Sequence, residues 1–215
     1  MKNRFDLIIF DWDGTLIDSV EWIVYCIQQA AIHHQCRVPD VQAAKDIIGL
    51  SIENAISQLF PECDISLREK IVVDYAQTFF SKKISRADLF PGVYEMLRQF
   101  KVNGYQLAIA TGKKSGGLAQ AVAATQVGDF FAATRSSDQT ESKPNPLMIN
   151  QIISELGVEK QRTLMVGDSV HDLQMAINAG VAAIGVTCGA HSAEILQQYQ
   201  PLMCLNYPTD LLEFL

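Results

Sequence analysis

Two carboxylates one residue apart, Asp11 and Asp13, end the apolar run Leu7–Phe10 and are followed at once by Gly14. A buried strand does not normally finish in two acids unless something cationic sits against them. Residues two apart in a strand point the same way, so both acids can face one small site. The same Asp-Gly pair also suits an ordinary strand-end turn. Three more segments have the right residue types for the same chemistry. Thr111-Gly112 follows the apolar run Gln106–Ala110 and can offer a hydroxyl and backbone N–H groups to an anion, or can be a plain strand-to-helix turn. Lys143 precedes Pro144, which holds its backbone extended. From there it can neutralise a carboxylate and a phosphate together, or simply be a solvated surface lysine. Asp168 ends the run Thr163–Val166 after Gly167, and Asp172 lies one helical turn further on. Oxygen ligands of this kind suit Mg²⁺, which takes one or two carboxylates plus waters and a substrate phosphate. The alternative for that pair is a helix N-cap and an exposed neighbour. His171 between them reads as exposed or structural rather than catalytic.

The elements that must position these groups are short apolar strands separated by helical patterns. Strands are expected at Leu7–Phe10, Gln106–Ala110, Phe130–Ala133, Thr163–Val166, Ala182–Val186 and, more weakly, Leu202–Leu205. Val93, Met96, Leu97 and Phe100 follow helical spacing, as do Leu118, Ala121, Val122 and Thr125. Ile149, Ile152, Ile153 and Leu156 do so again, after Pro144 and Pro146. Strands alternating with helices predict an α/β fold, a Rossmann-like parallel sheet core flanked by helices.

One interval breaks the alternation. Residues 16–86 show helical periodicity and no strand: Val20, Ile23, Val24 and Ile27 form one stripe, and Ser51 can cap a helix running to Phe60. Ser66-Leu67-Arg68-Glu69 matches a capping box, with Ile71, Tyr75 and Phe79 on one side of the helix it would start. The expected division is therefore a core of residues 1–15 and 87–215 with an all-helical cap domain, 16–86, inserted after the first strand. An insertion there sits over the carboxyl ends of the strands, where open α/β sheets bind ligands.

Composition narrows the function classes. The chain has 215 residues, 48% of them hydrophobic and 19% charged, with a formal net charge of −7. An acidic surface repels phosphate backbones, which argues against nucleic acid as a partner but leaves room for a small anionic substrate in a positive pocket. The five cysteines are scattered, odd in number and without a C-x-x-C pair, as expected of reduced thiols in the cytoplasm rather than a disulfide framework or zinc site. The basic start Met1-Lys2-Asn3-Arg4 precedes only four apolar residues, too few for a signal peptide or membrane span.

With acid–x–acid, Thr-Gly, Lys-Pro and Gly-Asp-x-x-x-Asp at successive strand ends, the chain resembles the haloacid dehalogenase-like hydrolase superfamily. Within it, the likeness is to phosphatases similar to phosphoglycolate phosphatase and β-phosphoglucomutase. The matching residues are Asp11-Trp12-Asp13-Gly14-Thr15-Leu16-Ile17-Asp18-Ser19, Thr111, Lys143-Pro144 and Gly167-Asp168-Ser169 with Asp172; Phe90-Pro91-Gly92-Val93 at the exit of the cap also looks like the family. The resemblance implies an Mg²⁺-dependent phosphatase acting on a small phosphorylated metabolite through an aspartyl-phosphate. It implies that Asp11 is the nucleophile and that Asp13 is the proton donor and acceptor, its carbonyl also reaching the metal. Asp11 and Asp168 would hold Mg²⁺, with Asp172 beside it or bound through water. Thr111 and backbone N–H groups near Gly14 and Gly112 would bind phosphate oxygens, and Lys143 would balance the charge. A cytoplasmic monomer or homodimer is expected, with no membrane partner.

Other activities share this fold. A phosphomutase would use the same Asp11 under a cap that excludes water. A phosphonate hydrolase needs a Schiff-base lysine from the cap, for which Lys45 is a candidate by position only. A dehalogenase leaves Asp13 and the magnesium acids without a task. A phosphate-binding regulator that does no catalysis is the reading from a different class. Specificity is expected around Ile48-Gly49-Leu50-Ser51 and in the loop after Thr111. Lys113, Lys114 and Arg135 could meet a second anionic group or be exposed loop charges.

Overall fold

The computed structural model describes residues 4–215; Met1-Lys2-Asn3 of the basic start lie outside the described residues. Six parallel strands form one sheet in the order β3-β2-β1-β4-β5-β6. They are β1 (Leu7–Phe10), β2 (Gln106–Thr111), β3 (Ala133–Ser136), β4 (Thr163–Gly167), β5 (Ala182–Val186) and β6 (Cys204–Leu205). The order reverses between β1 and β4, which is where a doubly wound sheet opens a crevice for ligands. Registers are regular across that junction, with Leu7 opposite both Gln106 and Thr163 and Phe10 opposite Ile109 and Val166.

Because β1 is buried on both sides, all four of its residues are apolar. Ile8 and Phe10 join one core with α5 (Val93–Val102) and α6 (Ser115–Thr125). Leu7 and Ile9 face the other core, with α7 (Leu147–Leu156), α8 (Val170–Ala179) and α9 (Ala193–Gln197). The alternation predicts that Asp11, next after Leu7 and Ile9, turns to the α7–α8 side.

Between β1 and β2 the chain inserts α1 (Val20–His33), α2 (Val41–Asp46), α3 (Ile52–Leu59) and α4 (Ile65–Phe79). Side-chain oxygens open the last three: Asp40 accepts from the Ala43 N–H at 2.8 Å, Ser51 from Asn54 at 3.4 Å and Asp64 from Leu67 at 2.8 Å. The third cap corrects an expectation. Asp64, not Ser66, starts α4, because its carboxylate takes the first-turn N–H two residues earlier; Ser66 falls inside the first turn. The insertion has its own apolar clusters, one around Val24, Ile27, Ala44 and Phe79 and one around Ala31, Ile56, Phe60 and Ile71.

Two strands also shift from their expected places. Residues 128–130 form a 3₁₀ turn with Phe130 packed against the core, and β3 begins only at Ala133. β3 is an edge strand, so it tolerates the polar Thr134 and Arg135 that hid it from an apolar-run reading. At the other edge only Cys204 and Leu205 of the expected Leu202–Leu205 pair with β5. The five cysteines are free, with the Sγ atoms of Cys36 and Cys63 3.8 Å apart. Among the described residues no helix is long and apolar enough to cross a membrane.

Candidate active site

Asp11 is buried at the end of β1, and its Oδ1 accepts from the Trp12 N–H at 2.6 Å and from Lys143 Nζ at 2.8 Å. Lys143 arrives from the segment before α7, across a cis Lys143–Pro144 peptide. Its Nζ also meets Asp172 Oδ1 at 2.6 Å. Burial opposes the lysine's charge, but Asp11 and Asp172 outweigh it and hold its pKa above the ordinary value.

Asp172 sits one turn into α8, whose N-terminus is a capping box: the Asp172 N–H donates to Ser169 Oγ at 3.3 Å, while Asp172 Oδ2 accepts from the Ser169 N–H at 3.1 Å. Asp168, immediately after β4, is gripped from two sides. Thr15 Oγ donates to its Oδ1 at 2.7 Å, and the Ala190 N–H to its Oδ2 at 2.8 Å. Burial, together with the Asp172 charge, still pushes its pKa up to about 7, against the two hydrogen bonds. Burial also pushes Asp11 well up, Lys143 opposing it and the other two acids adding to the rise.

Two glycines make room for this crowding. A Cβ at Gly14, whose φ is +78°, would lie 2.3 Å from Asp168 Oδ2, and one at Gly167 would lie 2.3 Å from the Asp172 carboxyl carbon. The Gly14 N–H itself donates to the Ile17 carbonyl at 3.0 Å, so this glycine serves the site through space rather than through its own amide.

Carboxylate oxygens of Asp11, Asp168 and Asp172 lie within 4.8 Å of one another, all buried, with one ammonium among them. Three acids against one lysine leave a buried excess of negative charge, which adds to the effect of burial in raising Asp11 and Asp168. An all-oxygen donor set with uncompensated charge fits a hard divalent cation such as Mg²⁺.

In front of Asp11 a cavity of about 470 Å³ opens between the sheet edge and the inserted helices. Asp13, Thr111, Gly112, Lys113 and Lys114 share its wall with Asp11. Asp13 is held by Ser19 Oγ at 2.8 Å and by Lys113 Nζ at 3.0 Å. Thr111 is buried, and its Oγ accepts from the Lys113 N–H at 3.2 Å. Lys113 also lies over the Phe79 ring, 4.3 Å from its centroid, and Lys114 pairs with Glu53 at 2.5 Å. Arg135 does not reach this cavity; it bonds Gln151 and Glu155 on α7 because β3 is the far edge of the sheet. Lys45 is also absent from the cavity wall, at the last turn of α2.

The insertion is fastened to the sheet edge by polar contacts. The Ser51 N–H donates to Ser142 Oγ at 2.9 Å, and His171 Nε2 lies 2.8 Å from the Asp46 carbonyl. His171 is therefore structural, a tie between α8 and the insertion. A Cβ at Gly112 would lie 2.3 Å from the Leu50 carbonyl oxygen and 2.4 Å from that of Gly49. Gly112→Ala should push the insertion off the sheet edge, seen as faster proteolysis at residues 16–20 and 80–90 and turnover reduced about tenfold. Unchanged digestion would show that the contact can relax locally.

The sequence reading gave no role to Thr15, Ser19 or Ser142, and it did not single out the loop after β5. That loop was findable as one more strand end. A Cβ at Gly189 would strike the Asp168 side chain at 2.1 Å, and the next N–H, of Ala190, holds that carboxylate.

Comparison with known proteins accords with this arrangement. The family model described as "Haloacid dehalogenase-like hydrolase" matches residues 8–186. A Dickeya dadantii protein named "Probable phosphatase IndB" is 35% identical over 204 residues, covering 93% of this chain and 89% of the relative. A Vibrio vulnificus phosphoglycolate phosphatase is 31% identical over 212 residues, covering 93% and 91%. A solved Pseudomonas syringae hydrolase superposes with a TM-score of 0.87 at 22% identity, covering 96% of each chain, a likeness of fold.

Proposed function

The chain belongs to the haloacid dehalogenase-like hydrolases and is a phosphatase of that family, and on that premise we propose that it hydrolyses a small organic phosphate monoester through an aspartyl-phosphate at Asp11, with Mg²⁺. The observation that carries the reading is the buried group of Asp11, Asp168, Asp172 and Lys143 directly behind a ligand-sized cavity. On this reading residues 16–86 act as a cap over a core of residues 1–15 and 87–215.

The Asp11 carboxylate attacks phosphorus, and the ester P–O bond breaks. Its Oδ1 is taken up by Trp12 and Lys143, so Oδ2 is the oxygen free to attack. Asp13, protonated, gives its proton to the departing alkoxide. As a carboxylate it then takes a proton from the water that attacks phosphorus, freeing Asp11 and inorganic phosphate. Thr111 and the backbone at Gly112 hold phosphate oxygens; Gly14 keeps space for Asp168. Lys143 lowers the repulsion between two anions, the step on which phosphoryl transfer depends most. Asp11, Asp168 and the Asp13 carbonyl would hold Mg²⁺, with Asp172 beside them. The bound ion supplies Lewis-acid neutralisation of phosphoryl charge.

A phosphate-release screen over phosphate esters, with and without Mg²⁺, tests the proposal. Turnover of monoesters that stops on chelation supports it; no release from any ester ends it. Metal binding has its own readout. Mg²⁺ at a hundredfold excess over Kd should stabilise the protein by about 2.7 kcal/mol, and Asp168→Asn should remove most of that gain. Equal thermal shifts in both proteins would move the ion elsewhere.

A further inference from the structure

We infer that the ester this enzyme cleaves carries an apolar alcohol, aliphatic or aromatic, with no second carboxylate or phosphate. The inference rests on the phosphatase reading above and adds the class of leaving group to it.

The cavity is of the size usual for small-molecule sites, and its two halves differ in kind. The half on the sheet edge holds Asp11, Asp13, Thr111 and Gly112, the polar groups that meet a phosphate. The opposite half comes entirely from the insertion: Ile23 and Ile27 of α1, Ile52 and Ala55 of α3, Val72 and Phe79 of α4. Among the insertion's lining residues Tyr75 alone has a polar side chain, and none is charged. The Tyr75 and Phe79 rings, both in the lining, stack with centroids 5.7 Å apart.

A second anionic group on the substrate would enter this half with no cation to meet it and only the Tyr75 hydroxyl as a side-chain donor, at the cost of its hydration. The two cations of the wall are already committed, Lys113 to Asp13 at 3.0 Å and to the Phe79 ring, Lys114 to Glu53. No lining cation is therefore left over to meet a second anionic group beyond the phosphate position. A hydrocarbon or ring, by contrast, exchanges water for Ile, Val and Phe contacts at every added carbon.

The test uses the full chain with Mg²⁺ and a series of primary alkyl phosphates from ethyl to octyl, with phenethyl phosphate, glycerol 3-phosphate and 2-phosphoglycolate beside them. The alkyl leaving groups are chemically matched, so chain length is the variable. The expected result is a rise in kcat/KM of about fourfold per methylene, about 250-fold from ethyl to hexyl. Phosphoglycolate should fall below ethyl phosphate. The phenethyl-to-hexyl ratio tells an aromatic substrate from an aliphatic one. Val72→Lys, checked for folding by circular dichroism, should flatten the alkyl series and raise phosphoglycolate relative to hexyl phosphate. Turnover that is flat or falling with chain length, or that favours phosphoglycolate in the unaltered protein, overturns the inference and leaves the phosphatase standing. No turnover of any ester removes the phosphatase reading and the inference together.

Discussion

Asp11→Asn should lower kcat/KM for every ester by about 10⁴-fold or more while leaving the fold intact. The substitution is close to isosteric. The amide oxygen can keep both contacts now made by Oδ1, from the Trp12 N–H at 2.6 Å and Lys143 Nζ at 2.8 Å. What disappears is the anionic oxygen that bonds phosphorus. Stability has little reason to fall, because the change removes one of three crowded, buried carboxylates, and burial already disfavours the charged form of Asp11. The check has three parts: phosphate release, the denaturant midpoint, and labelling after acid quench with a ³²P-ester. Label retained by the unaltered protein, released by hydroxylamine and missing from Asp11→Asn, is the expected pattern. Undiminished release by the variant would mean that another group, or water directly, attacks the ester.

Lys143→Met should have the second-largest effect, on stability as well as rate. The ammonium is fully buried and bridges Asp11 and Asp172. Removing one member of a buried ion network leaves its partners uncompensated, which costs about 3–5 kcal/mol. Urea unfolding in chelator measures this directly. Adding Asp172→Asn should recover part of the loss, since it removes one of the two orphaned charges. Turnover should fall on the order of 10³-fold, the scale for losing one preorganised electrostatic contact. A single variant as stable as the parent would imply that Asp11 or Asp172 takes up a proton at little cost.

The sheet was legible where burial imposed uniform apolarity. β1, β4 and β5 are central or near-central strands, and their runs stand out from the helical stretches around them. The edge strands were not, because an edge carries polar residues such as Thr134 and Arg135 without penalty. Helix starts were read well at Ser51 and wrongly at Ser66, where an aspartate two residues earlier caps the Leu67 N–H and starts the helix sooner. In the site, acids and lysine stood out because strand ends rarely carry them without purpose. Thr15 and Ala190 did not, because a hydroxyl or a backbone amide leaves no mark in sequence until the fold aims it at Asp168. The apolar half of the cavity was hidden for a further reason. Ile27 and Phe79 also belong to the insertion's own core, and helical spacing alone does not separate a side chain that packs from one that also borders a cavity.

The position of β1 has a consequence for how the protein is made. It leaves the ribosome before the other five strands of this sheet, yet its neighbours are residues 106–111 on one side and 163–167 on the other. Throughout synthesis of the intervening helices Leu-Ile-Ile-Phe has no sheet to join, and one flank stays open until β4 has emerged. Such a segment invites pairing with other nascent chains. Fragments ending before β4 should therefore aggregate, and the yield of native protein should depend on how quickly translation carries the chain past residue 167.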